Sequence, residues 1–487
     1  TILLSEDQSP KLKIFQKLCY KFIILFMTDN KMTDSYNHFF KSDSLTYTSL
    51  LTGFNQTSFD TLNLKYEKLK IDNVIQSLFS GKKINTTENQ SAIHHVYREA
   101  FSSNPNNFLS ADVVESAKSS ILTCLKLKNT LQENGIKNIV TIGIGGSFEG
   151  PKLLLETLTE PHKRLFNHIF LTGPDILEFE QTVKLLNKNE TFFIVSSKSF
   201  STDEILQSIN LAKDWISSLD NPDNHFLAVT AQIDKAVDLG FTKQSIITFP
   251  NEVGGRYSLW SPISLPAILE MGTDFLDLLK GAAQADYELM NNINYKNFIK
   301  TISFSDIWFN NFKDKATRVL LIYSWKLRFF KDYAQQLEME SIGKQPNKKS
   351  EFKKTGQVIF GGFGSTAQHS YFQLLHQGTA SVCSDIIAIE DHKESNKLVY
   401  AQARTQANLL ANGAESDLKD FEEVNGNVPV NFFCLDKLNA FNLGYLIATW
   451  EHRTFVTAAM LEINPFDQYG VSAGKIFTKK YLKENGA

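Results

Sequence analysis

Short apolar runs that alternate with longer helical patterns are the feature of this sequence that most constrains its fold. The first series of runs begins near Lys137, where a regular pattern emerges. Its members are residues 138–143, 168–171, 192–195, 225–230 and 246–249. Helical patterns such as 203–220 separate them. Strands that alternate with helices predict a parallel sheet covered by helices on both faces.

A second series of the same kind follows. Strands are predicted at 319–323, 357–361, 381–389 and 430–434, with helices at 368–377, 394–410 and 436–461. The chain has 487 residues, a length that suggests roughly two to four domains. We therefore expect an α/β protein with two doubly wound lobes. The pattern is interrupted at 286–297, where charged and asparagine-rich sequence marks a boundary.

Four segments follow from this organisation. Residues 1–100 are expected to be an N-terminal helical or irregular segment, with short helical or irregular pieces up to about residue 60. The first lobe is expected at 101–285 and the second at 286–465. Residues 466–487 are expected to form a C-terminal helix that packs at the active site.

Charge and composition exclude several classes of partner. The net charge of −3 provides no basic field for nucleic acid. No apolar run approaches the roughly 18 residues of a membrane helix. The run at 22–27 is short for a signal-peptide core and lacks a small-residue cleavage site, and Met27 or Met32 is a candidate natural start.

The cysteines bear on the compartment. Cys19, Cys124, Cys383 and Cys434 lie far apart and form no C-x-x-C pair, so neither a zinc site nor a disulfide framework is indicated. This usage fits a reducing cytosol, and we expect a cytoplasmic protein.

A glycine-rich turn follows the first predicted strand. It reads Gly143-Ile-Gly-Gly-Ser147 and precedes a helical stretch. Glycines there expose backbone N–H groups at a helix N-terminus, which favours an anion. Phe148 breaks the G-x-G-x-x-G dinucleotide pattern, and no G-K-[ST] follows. A plain tight strand–helix turn is the simpler interpretation of these residues alone.

A hydroxyl-rich turn follows the strand that ends at Val195. Residues 196–204 read Ser-Ser-Lys-Ser-Phe-Ser-Thr-Asp-Glu. Several hydroxyls and one ammonium at a helix start can hold a phosphate without a metal. The simpler interpretation is a capping box of Ser201 with Glu204, which is compatible with an anion site at the same helix end.

Three further segments carry charged or acid–base groups. Arg256 follows Gly254 and Gly255, and its fixed charge can stabilise a developing oxyanion. Glu340 and His369 form the one evident acid–base pair, because a carboxylate can remove a proton next to a carbonyl and a histidine can move protons between oxygens. Taken singly, these residues are as well explained as a surface arginine, a solvated helix face and a structural histidine.

The segment 464–475 contains an amide, Gln468, and an amine, Lys475. If it opens a helix, the two share one face about 10 Å apart along the axis. A helix start with a solvated lysine explains the segment equally well. No H-E-x-x-H motif or metal-binding carboxylate pair occurs, so no metal is expected. The pair His94-His95 has no matching ligands and is interpreted as structural.

Together and in this order, these segments resemble the glucose-6-phosphate isomerase (phosphoglucose isomerase) family. The resemblance covers roughly residues 85–475, and its most specific parts are 253–261 and 464–475. Supporting segments are 143–147, 197–204, 336–344, 364–379 and 391–402. It implies two sugar-isomerase-type (SIS) lobes, a homodimer with composite sites, and interconversion of glucose 6-phosphate and fructose 6-phosphate, a step of glycolysis and gluconeogenesis, without a cofactor or metal.

The resemblance also implies roles for individual residues. Glu340 resembles the base that moves a proton between C1 and C2, and Arg256 the group that stabilises the cis-enediolate. His369, supplied by the neighbouring subunit, and Lys475 resemble the ring-opening residues. The implied phosphate clamp comprises Ser197, Lys198, Ser199 and Thr202, and the implied further substrate contacts are Gly146, Ser147, Gln336 and Gln468.

The sequence departs from the family pattern in places. Ser199 and Ser201 replace threonines and keep the hydroxyls. Leu337-Glu338 replaces Gly-Asp, Gln90 replaces an arginine, and residues 361–367 replace a different glycine-containing loop before His369.

Two other functions were weighed. A non-catalytic sugar-phosphate-binding SIS protein would keep 197–202 but need not keep Glu340, Arg256, His369 and Lys475 together, so it is disfavoured. A nicotinamide-dependent dehydrogenase is disfavoured because Phe148 interrupts the glycine pattern.

Overall fold

The computed structural model describes residues 35–390, 396–414 and 419–485. The N-terminal apolar run 22–27, Met27, Met32 and Cys19 lie outside the described residues. The same holds for residues 391–395, which begin one of the segments that carry the family resemblance and include the start of the predicted helix 394–410.

The described residues contain twelve strands. They are β1 (Ser35–Tyr36), β2 (Phe39–Lys41), β3 (Leu45–Thr52), β4 (Asn138–Ile142), β5 (Asn167–Leu171), β6 (Thr191–Ser196), β7 (Phe226–Thr230), β8 (Ile246–Thr248), β9 (Thr317–Tyr323), β10 (Val358–Phe363), β11 (Val382–Ile389) and β12 (Val430–Leu435).

The α-helices pack on both sheets and also form parts of the N- and C-terminal segments. They are α1 (Gln56–Lys68), α2 (Ile71–Phe79), α3 (Val96–Glu99), α4 (Ala111–Glu133), α5 (Glu149–Leu158), α6 (Ile176–Val183), α7 (Asp203–Ile216), α8 (Ile233–Asp238), α9 (Leu265–Met271), α10 (Asp274–Asn291), α11 (Ile293–Phe312), α12 (Phe330–Ile342), α13 (Gly364–Gln368), α14 (Phe372–Gln377), α15 (Lys397–Asn412), α16 (Ala440–Met460) and α17 (Tyr469–Glu484). Among the described residues, no helix is long and apolar enough to cross a membrane.

The first sheet has five parallel strands in the order β5-β4-β6-β7-β8. All six residues of β6 are buried, as expected for a central strand with helices on both faces. The chain leaves β4 to one side, forms β5, and returns to the other side as β6. Each of the five strands lies within one residue of its predicted bounds, and the parallel α/β architecture is confirmed.

The second sheet has seven strands, and β12, β11, β9 and β10 form its parallel part. Strand β3 pairs antiparallel with β12, and β1 and β2 pair antiparallel with β3. The expectation of helical or irregular pieces before residue 60 is therefore wrong over residues 35–52. Residues 45–52 are rich in threonine and apolar side chains, which suit a largely buried strand. The segment is far in sequence from the strands that it joins.

Two helix predictions also need correction. The predicted helix 368–377 is two short helices, because α13 ends at Gln368 and α14 begins at Phe372. The predicted interruption at 286–297 is helical on both sides of Asn292, whose side chain accepts hydrogen bonds from the backbone N–H groups that open α11. Asn292 is therefore a helix cap.

Helix α16 is the central element of the helical layer. It is buried over most of its length and packs against α10. A Cβ on Gly444 would collide with the backbone carbonyl of Leu278, and one on Gly281 with that of Phe441. The glycines thus let the two helix backbones approach closely.

Candidate active site

The loops after β4 and β6 meet at one edge of the first sheet. The two strands are neighbours, and the chain leaves them in opposite directions. Ligands bind in the crevice at such a point, outside the carboxyl ends of the strands. The glycine-rich turn at 143–147 and the hydroxyl-rich turn at 196–202 both lie there.

The glycine-rich turn forms a 3₁₀ helix, Gly145–Ser147, that packs on the segment carrying Arg256. A Cβ on Gly146 would collide with the backbone of Gly255 and would approach the Arg256 N–H. Gly145 has φ +59, and a Cβ there would lie 3.0 Å from the side-chain nitrogen of Gln336. Ser147 is buried beside them. Glycine at 145 and 146 therefore permits a contact between three of the predicted segments.

The hydroxyl-rich turn is held by its own backbone. Ser197 donates its backbone N–H to Val229 (3.0 Å), and its Oγ accepts from the Phe200 N–H (3.2 Å). Phe200 has φ 46, in the left-handed region that non-glycine residues rarely adopt. Ser199 is exposed, and its carbonyl accepts from Lys235 (3.1 Å).

Helix α7 begins at Asp203, the first residue of the predicted helical pattern 203–220. Thr202 is its N-cap, and its side chain makes no capping hydrogen bond. The predicted capping box of Ser201 with Glu204 is wrong, because Glu204 then stands one position too early in the helix to complete it. Thr202 and the first N–H groups of α7 lie at the N-terminal end of the helix, and this end favours an anion.

Lys198 brings a positive charge to this turn. Burial lowers the pKa of its ammonium, nearby Glu88 and Glu252 raise it, and Arg256 lowers it further. Lys198 thus supplies a partly buried cation to the hydroxyl-rich turn.

Arg256 is 4% exposed, and hydrogen bonds surround its guanidinium. Its Nε donates to Ser341 Oγ (2.7 Å), and Nη2 donates to the backbone carbonyls of Pro465 and Asp467. Its Nη1 donates to Gln468 Oε1 (3.1 Å) and lies 3.4 Å from Glu340 Oε2. The Nη1 edge is therefore the part of the cation that faces the carboxylate.

Glu340 lies in the last turn of α12 and is partly exposed, with 24% of its side chain accessible. Its Oε2 also accepts from Gln336 Nε2 (3.2 Å), one helical turn earlier. The structure thus brings Gly146, Arg256, Gln336, Glu340 and Gln468 into one cluster.

The segment 464–468 is clamped by a second cation. Lys344 Nζ donates to the carbonyls of Asn464 and Asp467 and to Asp467 Oδ1 (2.6 Å). Asp467 Oδ2 accepts from Thr87 Oγ1 (2.7 Å) and Asn464 Nδ2 (3.0 Å). Burial lowers the pKa of Lys344, and the hydrogen bond to Asp467 opposes this. The carbonyls that hold Arg256 are therefore positioned by Lys344 and by the turn around Thr87.

His369 and Lys475 lie outside this cluster. His369 caps the C-terminal end of α13 and is exposed. Lys475 is on α17, a helix with no buried residue. Within the described residues, neither side chain has a hydrogen bond or ion pair with the Glu340–Arg256 cluster. One ion pair, Lys479 with Asp203 (3.2 Å), links α17 to the start of α7.

The residues that depart from the family pattern differ in burial and in their distance from the cleft. Glu338 is buried, forms an ion pair with Arg318 and accepts from Trp450 Nε1 (2.7 Å), so this substitution lies in the core and not in the cleft. Gln90 pairs through two backbone hydrogen bonds with Asn85, whose Oδ1 accepts from Asn464 (2.8 Å). That departure thus borders the clamped segment.

A buried carboxylate, Glu451, lies beneath the site. It accepts from Trp260 Nε1 (2.9 Å) and Tyr333 Oη (3.2 Å) and pairs with Arg98 (2.6 Å). Burial raises its pKa to about 7, although Arg98 opposes the shift. His94 lies 3.6 Å away and stacks on Tyr257. Its neighbour His95 is also buried and meets the Phe79 carbonyl (3.1 Å).

Sequence reasoning did not identify Ser341, Lys344 or Asp467 as parts of the site. Each stands inside a segment that was singled out, and Ser341 and Asp467 adjoin residues that were named. A serine after a glutamate, or a lysine after a glycine, carries no pattern that separates it from a surface residue. No group of three or more His, Cys, Asp or Glu side chains within the described ranges could hold a metal ion.

Comparison with known proteins gives matches over nearly the whole chain. The family model described as phosphoglucose isomerase matches residues 52–486. A glucose-6-phosphate isomerase from Shewanella sp. (strain MR-4) is 36% identical over 480 residues, which is 89% of this chain and 87% of the relative. One from Marinomonas sp. (strain MWYL1) is 33% identical over 93% of this chain and 89% of the relative.

A solved structure supports the fold independently. The crystal structure of a glucose-6-phosphate isomerase from Chlamydia trachomatis superposes with a TM-score of 0.84 at 23% identity, covering 92% of this chain and 90% of that one. At this identity the likeness concerns the arrangement of strands and helices.

Proposed function

The chain belongs to the phosphoglucose isomerase family and is an aldose–ketose isomerase of glucose 6-phosphate and fructose 6-phosphate; we propose that it works through a cis-enediolate with Glu340 as the base. The observation that carries this mechanism is the 3.4 Å approach of Glu340 Oε2 to Arg256 Nη1 in a cleft at the sheet edge. A carboxylate and a fixed cation side by side are the two groups that enediolate chemistry needs.

The phosphate binds at the hydroxyl-rich turn. Ser197, Lys198, Ser199 and Thr202 supply hydroxyls and one ammonium, and α7 adds the N–H groups of its first turn. Neutral donors with a single nearby cation suit a phosphate dianion that must dissociate with the product. Anchoring the phosphate fixes the distance from the sugar's reacting carbons to Glu340, and such positioning contributes to the rate.

The proton transfer takes place at two adjacent carbons. Glu340 removes the proton from C2 of the open-chain aldose, the C1 carbonyl oxygen becomes anionic, and an enediolate forms. The same carboxyl then returns the proton to C1, which gives the ketose after the oxygens exchange a proton. A positioned base of this kind contributes about 10²- to 10⁴-fold to the rate.

Arg256 stabilises the charge on oxygen through its Nη1 edge. That edge is occupied by Gln468 and Glu340, whereas Nε and Nη2 are held by Ser341 and backbone carbonyls. A bound enediolate replaces these Nη1 contacts and leaves the other edges in place. Gly146, Ser147, Gln336 and Gln468 line the same cleft and contact the sugar.

Ring opening requires His369 and Lys475, and we assign His369 to a second copy of the chain. The exposure of His369, and its separation from Glu340 within one chain, support a homodimer with composite sites. Lys475 on the exposed helix α17 then completes the site at the ring-opening end. The reaction needs neither a metal nor an organic cofactor, since base, cation and phosphate clamp are all side chains.

A cytoplasmic location fits the described cysteines. Cys124, Cys383 and Cys434 are free, buried thiols, as is usual in a reducing compartment.

A coupled assay tests the function. Fructose 6-phosphate is supplied, glucose 6-phosphate is detected with EDTA present, and steady turnover is expected. No turnover would favour the non-catalytic sugar-phosphate-binding alternative. Turnover that is lost only with EDTA would contradict the metal-free mechanism.

A further inference from the structure

Ser341 is the residue that joins the base and the cation of the site. It follows Glu340 directly on α12 and is fully buried, with 0% exposure. Its Oγ accepts from Arg256 Nε at 2.7 Å. Two consecutive residues of one helix therefore contact the same guanidinium, Glu340 at the Nη1 edge and Ser341 at the Nε edge.

We propose that Ser341 is a positioning residue that sets the angle of the Arg256 guanidinium toward the enediolate oxygens. The inference rests on the proposed function, because it needs Arg256 to act on the reacting oxygens. A guanidinium is planar, so holding Nε and Nη2 on one side determines where Nη1 points.

The second contact of Ser341 strengthens the assignment. Tyr257 Oη lies 2.9 Å from Ser341 Oγ, and Tyr257 is 1% exposed. A serine oxygen has two acceptor lone pairs, so it can receive the Arg256 N–H and the tyrosine O–H together. Burial raises the pKa of Tyr257 to about 12, which keeps the phenol proton in place at neutral pH. The hydroxyl of Ser341 is thus held by a second buried side chain.

The carbonyl contacts alone do not fix the cation. Pro465 and Asp467 hold Nη2 through the backbone of one loop. Ser341 gives the guanidinium a hydrogen bond to α12, the helix whose other contact with it is the longer ion pair of Glu340. Without it, the distance between base and cation depends on a loop on one side and a helix on the other.

The test is Ser341→Ala measured against Arg256→Ala and the double variant. Ser341→Ala is expected to lower kcat by about 10²-fold, the cost of a misplacement near 1 Å, with KM for fructose 6-phosphate changed less than about three-fold. In the Arg256→Ala background, the same change is expected to lower kcat by less than about three-fold, because the group that it positions is gone.

Matched variants separate positioning from stability. Ser305→Ala removes another buried serine hydroxyl, bonded to the Ile302 carbonyl (2.8 Å) in α11, and is expected to leave kcat unchanged. Ser341→Cys keeps the shape but weakens the acceptor and should give an intermediate kcat; it also serves if Ser341→Ala does not fold. Tyr257→Phe keeps the Ser341–Arg256 bond and should lower kcat less than Ser341→Ala does.

The outcomes are distinct. A kcat for Ser341→Ala equal to that of Ser305→Ala would overturn the proposal, as would equal fold-losses from Ser341→Ala with and without Arg256. If Arg256→Ala itself leaves kcat unchanged, the proposed role of Arg256 fails, and the positioning role falls with it.

Discussion

The backbones of Gly146 and Gly255 are in direct contact, so that the glycine-rich turn after β4 determines the position of the segment that carries Arg256. No side chain fits between them, since a Cβ on Gly146 would collide with the Gly255 carbonyl. The relationship explains why glycine is needed at this position.

We therefore predict that Gly146→Ala damages both stability and activity. The methyl group must displace the Gly255–Arg256 backbone, and overpacking of this kind costs about 1–3 kcal/mol of unfolding free energy. Arg256 shifts with it, so kcat/KM should fall about 10²-fold. Gly173→Ala, where a Cβ would meet its nearest neighbour at 3.4 Å, is the control, measured by chemical denaturation and the coupled assay. Equal effects of the two variants would show that the contact is not required.

Glu340→Gln should abolish isomerisation while sugar-phosphate binding is largely retained. The amide keeps the shape and the contact with Gln336 but cannot accept a proton from carbon. A loss of at least about 10²-fold in kcat is expected, with binding followed by calorimetry. Glu180→Gln makes the same charge change on an exposed helix residue and should have no effect. Near-normal turnover of Glu340→Gln would contradict the mechanism.

A mixed dimer should reveal which subunit supplies His369. His369→Ala and Glu340→Gln are each expected to be poorly active alone. If His369 acts across an interface, co-expressed and tandem-purified mixed dimers contain one site with both residues and regain activity. If both residues act within one chain, the mixture is no more active than its parents.

The same His369→Ala variant separates ring opening from proton transfer. Turnover of the cyclic sugar should fall more than turnover of an open-chain substrate, because only the former needs the ring to open. Equal losses with both substrates would contradict a ring-opening role.

The raised pKa of Glu451 makes stability depend on pH. Its folded-state pKa of about 7 exceeds the ordinary value of 4.5, so the folded protein holds this proton more tightly than the unfolded chain. The resulting stabilisation is complete below pH 4.5 and is lost as the pH rises through 7.

Glu451→Gln cannot lose that proton. The free energy of unfolding of the wild type, relative to this variant, should therefore fall between pH 5 and pH 8, by up to about 3 kcal/mol. Urea denaturation at a series of pH values measures the difference, with Glu180→Gln as the pH-independent control. Parallel curves for wild type and Glu451→Gln would refute it.

Much of the fold could be predicted from the sequence, because a buried parallel strand is recognisable as a short apolar run. The runs around β4 and β6 are mostly apolar and end at glycine or serine, so both strands and the loops that follow them were identifiable. Strand β3 was not, because its partner β12 is almost 400 residues away in the chain. A segment of half-buried threonines with a tyrosine resembles many other segments until its partner strand is known.

The site shows the same division. Arg256 and Glu340 were candidates because charged groups next to glycines or in a helix turn suggest chemistry. Ser341 and Lys344 were not, because their importance lies in contacts with residues from two other parts of the chain, 256–257 and 464–467. The exposed positions of His369 and Lys475 have no local signature either, since exposure depends on what packs nearby.

The pairing of β3 with β12 bears on how the protein is made. Tyr47 donates to Asn431 Oδ1 (2.7 Å), a bond between residues 384 positions apart. During synthesis from the N-terminus, the strand at 45–52 leaves the ribosome long before β12, and until then the backbone groups that face β12 stay unpaired. At about 5–20 residues per second that interval lasts roughly 20–80 s. An early strand without its neighbour is a template for wrong pairing, so chaperone demand during translation should fall most heavily on this segment.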